Sequence, residues 1–174
     1  MNNKGFTLIE LVVAMVIIAI LSTAGISNYI SSLKKGRDAQ RKSDLAQLQR
    51  SLEAYANDNK GAYPQSDATG HILSCPADTL GVCSWGSGDF RASAVVGNNT
   101  IYMKKIVKDP SIGQDYFYVS IGGTSYQIYS RLENTNDLCF TNNIDMCKTA
   151  GFPAPIVCGS KSCNYGVAST NTNP

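Results

Sequence analysis

The sequence is poor in the residues on which most catalytic and metal sites depend. It has one histidine, His71, in 174 residues, and its six cysteines include no C-x2-C pair of the kind that binds zinc. It contains no H-E-x-x-H motif, no phosphate-binding glycine loop and no nucleophile elbow. The sequence therefore predicts a protein that is not an enzyme, with no catalytic residue, no cofactor and no metal site.

Charge is nearly balanced overall but absent from one long stretch. The net charge of +2 is too small to predict nucleic-acid binding from composition. No charged residue lies between Glu10 and Lys34, and every residue from Leu11 to Leu21 is apolar. This stretch is long enough to cross a membrane as a helix, so the carboxylate at its start is a predicted functional group whose natural partner is an amine.

Other kinds of apolar N-terminus explain these residues less well. Lys4 followed by Ser22, Thr23 and Ala24 imitates a secretory signal peptide, but Glu10 would lie inside its apolar middle. The absence of a cysteine near residue 24 excludes a lipoprotein anchor. An ordinary signal anchor does not explain why a carboxylate lies at position 10.

The six cysteines form an even set of three short-range couples behind the apolar segment: Cys75 and Cys83, Cys139 and Cys147, Cys158 and Cys163. Such a set is typical of disulfides in an oxidising compartment. Sequence cannot choose among the possible pairings. The nearest-neighbour set is a guess that depends on the low entropy cost of closing short loops. Zinc binding is the alternative interpretation.

The spacing of apolar residues predicts one long helix. Leu45, Leu48, Leu52 and Tyr55 recur at intervals of three and four, and no proline precedes Pro64. The helix is predicted from Phe6 to about Asn57, a length of roughly 80 Å. Glycine and proline in the segment 60–64 end it.

Two segments farther along the chain have the composition of strands. Residues 116–121 and 125–132 are rich in aromatic and β-branched side chains, and Gly122-Gly123 lies between them. This pattern predicts a β-hairpin with one face packed on the helix.

The start of the chain, Lys4-Gly5-Phe6-Thr7-Leu8-Ile9-Glu10, resembles the class III signal of the type IV pilin and pseudopilin family. The resemblance implies that a prepilin peptidase cuts between Gly5 and Phe6 and methylates the new amino terminus of Phe6. It also implies that Glu10 of an incoming subunit meets the Phe6 ammonium of its neighbour during assembly.

A second resemblance lies in the head. Lys108-Asp109-Pro110 and the hairpin after it look like the sheet of major pseudopilins of type II secretion systems, in which the following loop is acidic and binds calcium. Here that loop contains four oxygen-bearing side chains together with two cysteines: Glu133, Asn134, Asp137, Asp145, Cys139 and Cys147. We expect a disulfide to hold this loop in place of the ion.

The resemblance implies an α+β type IV pilin fold, in which a long N-terminal α-helix with a membrane-spanning first half packs on a small antiparallel β-sheet head. The predicted segments are a leader (1–5), a transmembrane or filament-core helix (6–30), its continuation into the head (31–60), an αβ-loop (61–100), the antiparallel sheet with a disulfide-stapled C-terminal region (101–165) and a flexible tail (166–174).

The predicted function is that of a structural subunit of a type IV pilus. It forms a homopolymer through its N-terminal helices, and its partners are the prepilin peptidase, an assembly ATPase and the inner-membrane platform. Before assembly it crosses the plasma membrane once with its head outside the cytoplasm, and afterwards it lies in an extracellular filament. Two alternatives stay open: a major pseudopilin of a type II secretion system, and a minor pilin in adhesion or DNA uptake.

A basic segment of the helix is the only support for DNA binding. Six cations lie between residues 34 and 50, namely Lys34, Lys35, Arg37, Arg41, Lys42 and Arg50. A simple positive-inside count would place them in the cytoplasm, against the cysteines and the leader, which we follow here. A solvated helix face or ion pairs between subunits is the preferred explanation, and an anionic polymer is the minority one.

Overall fold

The fold consists of one long helix and a head of short antiparallel strands, in a computed structural model that describes residues 5–75, 81–91, 100–135, 137 and 156–170. Helix α1 runs from Leu8 to Asp58. The strands are β1 Gln65–Ser66, β2 Ile72–Leu73, β3 Val82–Cys83, β4 Phe90–Arg91, β5 Ile101–Met103, β6 Phe117–Ile121, β7 Ser125–Ser130, β8 Val157–Cys158, β9 Lys161–Ser162 and β10 Tyr165–Ala168. This is the α+β architecture that the sequence predicts.

Helix α1 has 51 residues, and its ends follow from local chemistry. It begins at Leu8 rather than at the predicted Phe6, because Thr7 is in an extended conformation and caps the first turn. It ends at Asp58, where Asn59 caps the helix and Lys60 and Gly61 have φ angles of 58° and 81°. The predicted end at about Asn57 agrees to within one residue.

The main sheet has the order β10-β7-β6. Strands β6 and β7 form the predicted hairpin, with Ile121 opposite Ser125 and Phe117 opposite Tyr129. Gly122 and Gly123 make the turn with φ angles of 60° and 73°, a conformation that favours glycine.

Strand β10 corrects the prediction of a flexible tail from residue 166 onward. Residues Tyr165–Ala168 pair with β7, and Ser169 accepts the amide of Tyr126 through its Oγ while its own amide donates to the Tyr126 carbonyl. The polar composition of this segment predicted disorder. The strand forms nevertheless, because its backbone pairs with the edge of β7. Residues 171–174 lie outside the described part of the chain.

One face of the main sheet packs on α1, as predicted from the hairpin. The helix contributes a stripe of buried leucines, and the sheet contributes buried aromatic and aliphatic side chains: Leu45, Leu48 and Leu52 from α1, and Tyr118, Tyr126, Ile128 and Val167 from the sheet. Burial of each leucine stabilises the head by roughly 1.5–3 kcal/mol. This face fixes the head on the second half of the helix.

The opposite face of the sheet is covered by the hairpin of β8 and β9. Tyr129 packs there with Ile156 and with Cys158 and Cys163, which form a disulfide. A second disulfide joins Cys75 to Cys83. These are two of the three nearest-neighbour couples. Cys139 and Cys147 lie outside the described residues.

The connection between α1 and the sheet is more structured than the predicted loop of residues 61–100. It contains the three-stranded sheet β1-β2-β3, and β4 pairs with β5 from the next segment. These strands have two or three residues each, too short for an alternating pattern to appear in the sequence.

Candidate functional site

The predicted cleavage and assembly residues lie at the exposed start of α1. Gly5, Phe6 and Thr7 precede the helix and are exposed. Glu10 reaches back to Thr7, whose amide and hydroxyl both donate to its Oε2 at 2.8 Å. Gly5 and Phe6 are therefore in an open, non-helical segment, and the Glu10 carboxylate is held one turn away.

Sequence reasoning missed the role of Thr7. Its Oγ1 accepts the Glu10 amide at 3.4 Å, which completes a reciprocal capping box. The Thr-x-x-Glu spacing ahead of an apolar run was the available signal. In the single chain the Glu10 carboxylate is therefore hydrogen-bonded to the uncharged Thr7. Its negative charge is still available to pair with a cation.

The first half of α1 has no partner in the described chain. Apolar side chains on all sides of it are exposed, from Phe6, which is 90% exposed, to Leu33. The helix is long and apolar enough to cross a membrane. A surface of this kind is stable only in lipid or against other helices.

The second half of α1 joins the head through a buried arginine. Arg41 is fully buried and binds three carboxylates. Its Nε lies 2.7 Å from Asp109 Oδ2, its Nη1 lies 2.8 Å from Asp38 Oδ1, and its Nη2 lies 2.8 Å from Glu133 Oε1. The same Nη2 donates to Ser111 Oγ at 2.7 Å. Because Asp109 and Glu133 belong to the head, these ion pairs tie it to the helix.

The same cluster fixes the loop after β7. Asp38 accepts the backbone amides of Glu133 at 2.9 Å and Asn134 at 2.7 Å. Arg37 forms two hydrogen bonds with Glu133, at 2.9 and 2.5 Å, and Lys42 Nζ lies 2.9 Å from both oxygens of Asp137. Side chains of α1 thus bind both the backbone amides and the carboxylates of this loop.

The electrostatics of the cluster favour its charged form. Hydrogen bonds from Arg37 lower the pKa of Glu133 to about 2, although partial burial opposes this shift. Burial acts to lower the pKa of Arg41, but hydrogen bonds to Asp109 and Glu133 outweigh it and the pKa is raised. Both groups are therefore ionised at neutral pH in the folded protein.

The stabilising effect of Glu133 is expected to disappear in acid. Its pKa falls from 4.5 to about 2 on folding, so its contribution is complete above pH 4.5 and is lost as pH falls toward 2. With Arg37 one-third exposed, we expect this contribution to be about 1–2 kcal/mol. Urea unfolding of wild type and Glu133→Gln should give free energies that differ above pH 4.5 and converge near pH 2. If the two free energies of unfolding differed by the same amount over this whole pH range, ionised Glu133 would not be the stabilising form.

The calcium site implied by the family resemblance does not fit these residues. Both oxygens of Glu133 are occupied by Arg37, Arg41 or Ser111, and both oxygens of Asp137 face Lys42. Within the described residues no group of three or more His, Cys, Asp or Glu side chains is arranged to hold a metal ion. Asp145, Cys139 and Cys147 lie outside the described residues, so the expected disulfide at this loop stays a prediction.

Calcium is therefore expected to leave the stability of the oxidised protein unchanged. A ligand at a hundred times its Kd would add about 2.7 kcal/mol, which would raise Tm by several degrees. We expect a difference of less than about 1 °C between calcium-saturated and chelator-treated samples, because arginine and lysine already neutralise these carboxylates. A rise of about 4 °C or more on adding calcium would contradict this expectation.

Farther along α1 the contacts with the head change from ion pairs to tyrosine–carboxylate hydrogen bonds. Tyr116 donates to Asp44 at 2.7 Å, and Tyr63 and Tyr126 donate to the two oxygens of Glu53 at 2.9 and 3.1 Å. Burial, with the hydrogen bond to Glu53, raises the pKa of Tyr63 to about 12. These phenols therefore remain protonated donors well above neutral pH.

The basic segment is thus only partly available to other molecules. Arg37, Arg41 and Lys42 pair with carboxylates of the same chain, rather than with solvent or another subunit as the sequence suggested. Asp38 lies three residues from Arg41 on the helix, but the three cations' partners in the head lie 68 to 96 residues away, so spacing along the helix could not indicate those.

Comparison with known proteins identifies a matching family motif at the N-terminus and similar proteins over most of the chain. Residues 1–26 match the family model of the prokaryotic N-terminal methylation motif. The chain is 30% identical over 121 residues to type II secretion system core protein G of Escherichia coli, a match that covers 70% of this chain and 74% of that protein. It is 29% identical to the protein of the same name from Vibrio cholerae, over 70% of this chain and 73% of that protein. No solved structure gives a significant match.

Proposed function

Because the chain belongs to the type IV pilin and pseudopilin family, we propose that it is a major pseudopilin, a subunit that polymerises into the short fibre of a type II secretion system. The observation that carries the proposal is the similarity to two core proteins G over 121 residues, far beyond the N-terminal motif. This favours the pseudopilin over the type IV pilus predicted from sequence. The subunit contributes structure and carries out no catalysis.

In this proposal the chain matures by cleavage between Gly5 and Phe6 and by methylation of the Phe6 amino group. The methylation motif over residues 1–26 supports this step. The geometry supports it as well, since Gly5 and Phe6 are exposed and precede the first helical residue, Leu8. A peptidase can bind an extended segment of this kind without unwinding the helix.

Before assembly the chain crosses the inner membrane once, through the first half of α1, with its head outside the cytoplasm. The exposed apolar surface of this half supports the membrane stage. The two disulfides in the head support the orientation, because such bonds form in oxidising compartments.

During assembly, driven by the cytoplasmic ATPase and the membrane platform, the apolar halves of α1 pack together. The Glu10 carboxylate exchanges its Thr7 partner for the Phe6 ammonium of the neighbouring subunit. An unpaired charge in such a packed region costs several kcal/mol, so pairing fixes the register between subunits.

A type IV pilus subunit is the second candidate. The two short-range disulfides are compatible with it, because a filament outside the cell is also in an oxidising environment. Deletion of the gene distinguishes the candidates. A pseudopilin predicts that exported proteins are retained in the cell while surface fibres persist, and normal secretion with loss of surface fibres would contradict that role. A strain complemented with the wild-type gene is the control.

A further inference from the structure

A groove lined by cations lies where α1 leaves the head. We call it the basal groove, and its lining includes Lys34 from α1, Arg131 after β7, Lys161 from β9, Ile112 and Gln114. Among the residues that the structure describes, no carboxylate pairs with any of these three cations. Arg131 donates to the Ser162 carbonyl, at 2.8 Å. Glu133 also lines the groove, but its carboxylate is paired with Arg37 and Arg41, so the groove carries positive charge that the described part of the chain does not neutralise.

The groove lies at the level where the proposed membrane span ends. Leu33 is the last residue of the uncharged run, and Lys34 follows it directly. Among the described side chains of α1, that of Asp38 is the first to be buried, so the helix enters the head here. Lys34 and Arg41 both line the groove, and seven helical residues span about 10 Å. This distance along the helix axis is close to the Debye length of about 8 Å at physiological ionic strength, the range over which charges in solution interact.

An exposed apolar side chain lies among these cations. Ile112 is fully exposed on the loop between β5 and β6, and it lines the same groove. Apolar and basic side chains side by side are typical of surfaces that enter the headgroup region of a membrane.

The groove also contains an unsatisfied amide. Gln114 is 8% exposed, and its Oε1 is buried with no hydrogen-bond partner in the described chain, while its Nε2 donates to Ser160 at 3.2 Å. Buried polar groups of this kind are uncommon in folded proteins. The unpartnered oxygen is an acceptor, so a donor such as a headgroup hydroxyl would satisfy it, whereas a phosphate oxygen would not.

We propose that the basal groove docks on anionic phospholipid headgroups of the leaflet that faces the head, before the subunit enters a fibre. The proposal rests on the membrane stage of the proposed function. Lys34 and Lys161 attract the lipid phosphates, Ile112 enters the headgroup layer, and the head is held close to the membrane surface. Each basic residue near an anionic surface strengthens such attraction about fivefold.

The test uses the full chain in nanodiscs of phosphatidylcholine alone or with about one-third phosphatidylglycerol. Amide hydrogen exchange is measured over residues 111–114 and 159–164. We expect exchange to slow about tenfold in the anionic nanodiscs, and Lys34→Gln with Lys161→Gln to abolish the difference. The matched control is Lys104→Gln with Lys105→Gln, two exposed lysines that line a different groove. This control should keep the protection.

Several results would overturn the proposal. Equal exchange in both kinds of nanodisc would exclude headgroup docking, and the same protection from inorganic phosphate with neutral nanodiscs would indicate a free anion instead. Protection that rises with the number of chains per nanodisc would indicate a second copy of the chain. Failure of the chain to insert would contradict the membrane stage of the proposed function, whereas insertion without protection contradicts the docking alone.

Discussion

Replacing Arg41 with methionine is expected to destabilise the head by about 3–5 kcal/mol, because the change leaves buried carboxylates without their cation. Asp38 and Asp109 are 2% and 4% exposed, so water cannot take over the role of the guanidinium. The loop after β7 should loosen at the same time, since Glu133 also loses a partner. Urea unfolding of the oxidised protein, followed by near-ultraviolet circular dichroism, measures the loss.

Two variants show whether the uncompensated charge causes this loss. Arg50→Met removes an exposed arginine from the same helix and should change stability by less than about 0.5 kcal/mol. Arg41→Met combined with Asp109→Asn removes one of the three negative charges that Arg41 neutralises, and it should recover part of the stability. A loss below about 1 kcal/mol in Arg41→Met would contradict the role of this arginine as the internal cation of the head.

Replacing Glu10 with alanine is expected to leave maturation intact and to reduce fibre yield by more than roughly tenfold. The proposed cleavage site lies between Gly5 and Phe6, so we expect the peptidase not to need this carboxylate. Assembly without it leaves the Phe6 ammonium unpaired among apolar helices, at a cost of several kcal/mol, and each 1.4 kcal/mol corresponds to about a tenfold change. Immunoblots of membrane and fibre fractions, with mass spectrometry of the N-terminus, measure both steps.

The capping box provides matched controls for this prediction. Thr7→Ala removes the cap that Glu10 shares in the single chain, which costs about 1 kcal/mol, but it keeps the carboxylate. Glu10→Gln keeps a hydrogen-bond acceptor for Thr7 but removes the charge. If charge pairing drives assembly, Thr7→Ala should form fibres and Glu10→Gln should not. Normal fibre yield from Glu10→Gln would refute the charge-pairing role.

The helix and the hairpin could be predicted from sequence because their signals are local. Leu45, Leu48 and Leu52 repeat at helical spacing, and the two glycines at 122–123 have the positive φ angles that their turn requires. The short separations of Cys75 from Cys83 and Cys158 from Cys163 agree with the nearest-neighbour guess, although the sequence could not choose among the pairings. In each case the residues that form the element are close to one another in sequence.

The junction between helix and head could not be predicted in the same way. A basic residue on a helix is usually solvated, and nothing near Arg41 in sequence shows that it is fully buried. Its partner Asp109 lies 68 residues away, and only the packing of the sheet on α1 brings the two together. Strand β10 was missed for the same reason, since its order depends on the edge of β7.

These contacts connect the structure to the proposed assembly. In that proposal the exposed half of α1 is the polymerising surface, while Arg37, Arg41 and Lys42 fix the head on the other half of the same helix. The orientation of the head is therefore transmitted directly to the part of the helix that would enter the fibre.

The most direct test of the proposed function is the intact mass and N-terminal residue of the protein isolated from cells, in membrane and sheared-fibre fractions, before and after reduction. We predict a chain that begins at N-methylated Phe6 and whose mass rises on reduction of its disulfides. A product that begins after Ala24 would mean that a signal peptidase removes the apolar segment. That result would contradict both the maturation step and polymerisation through α1.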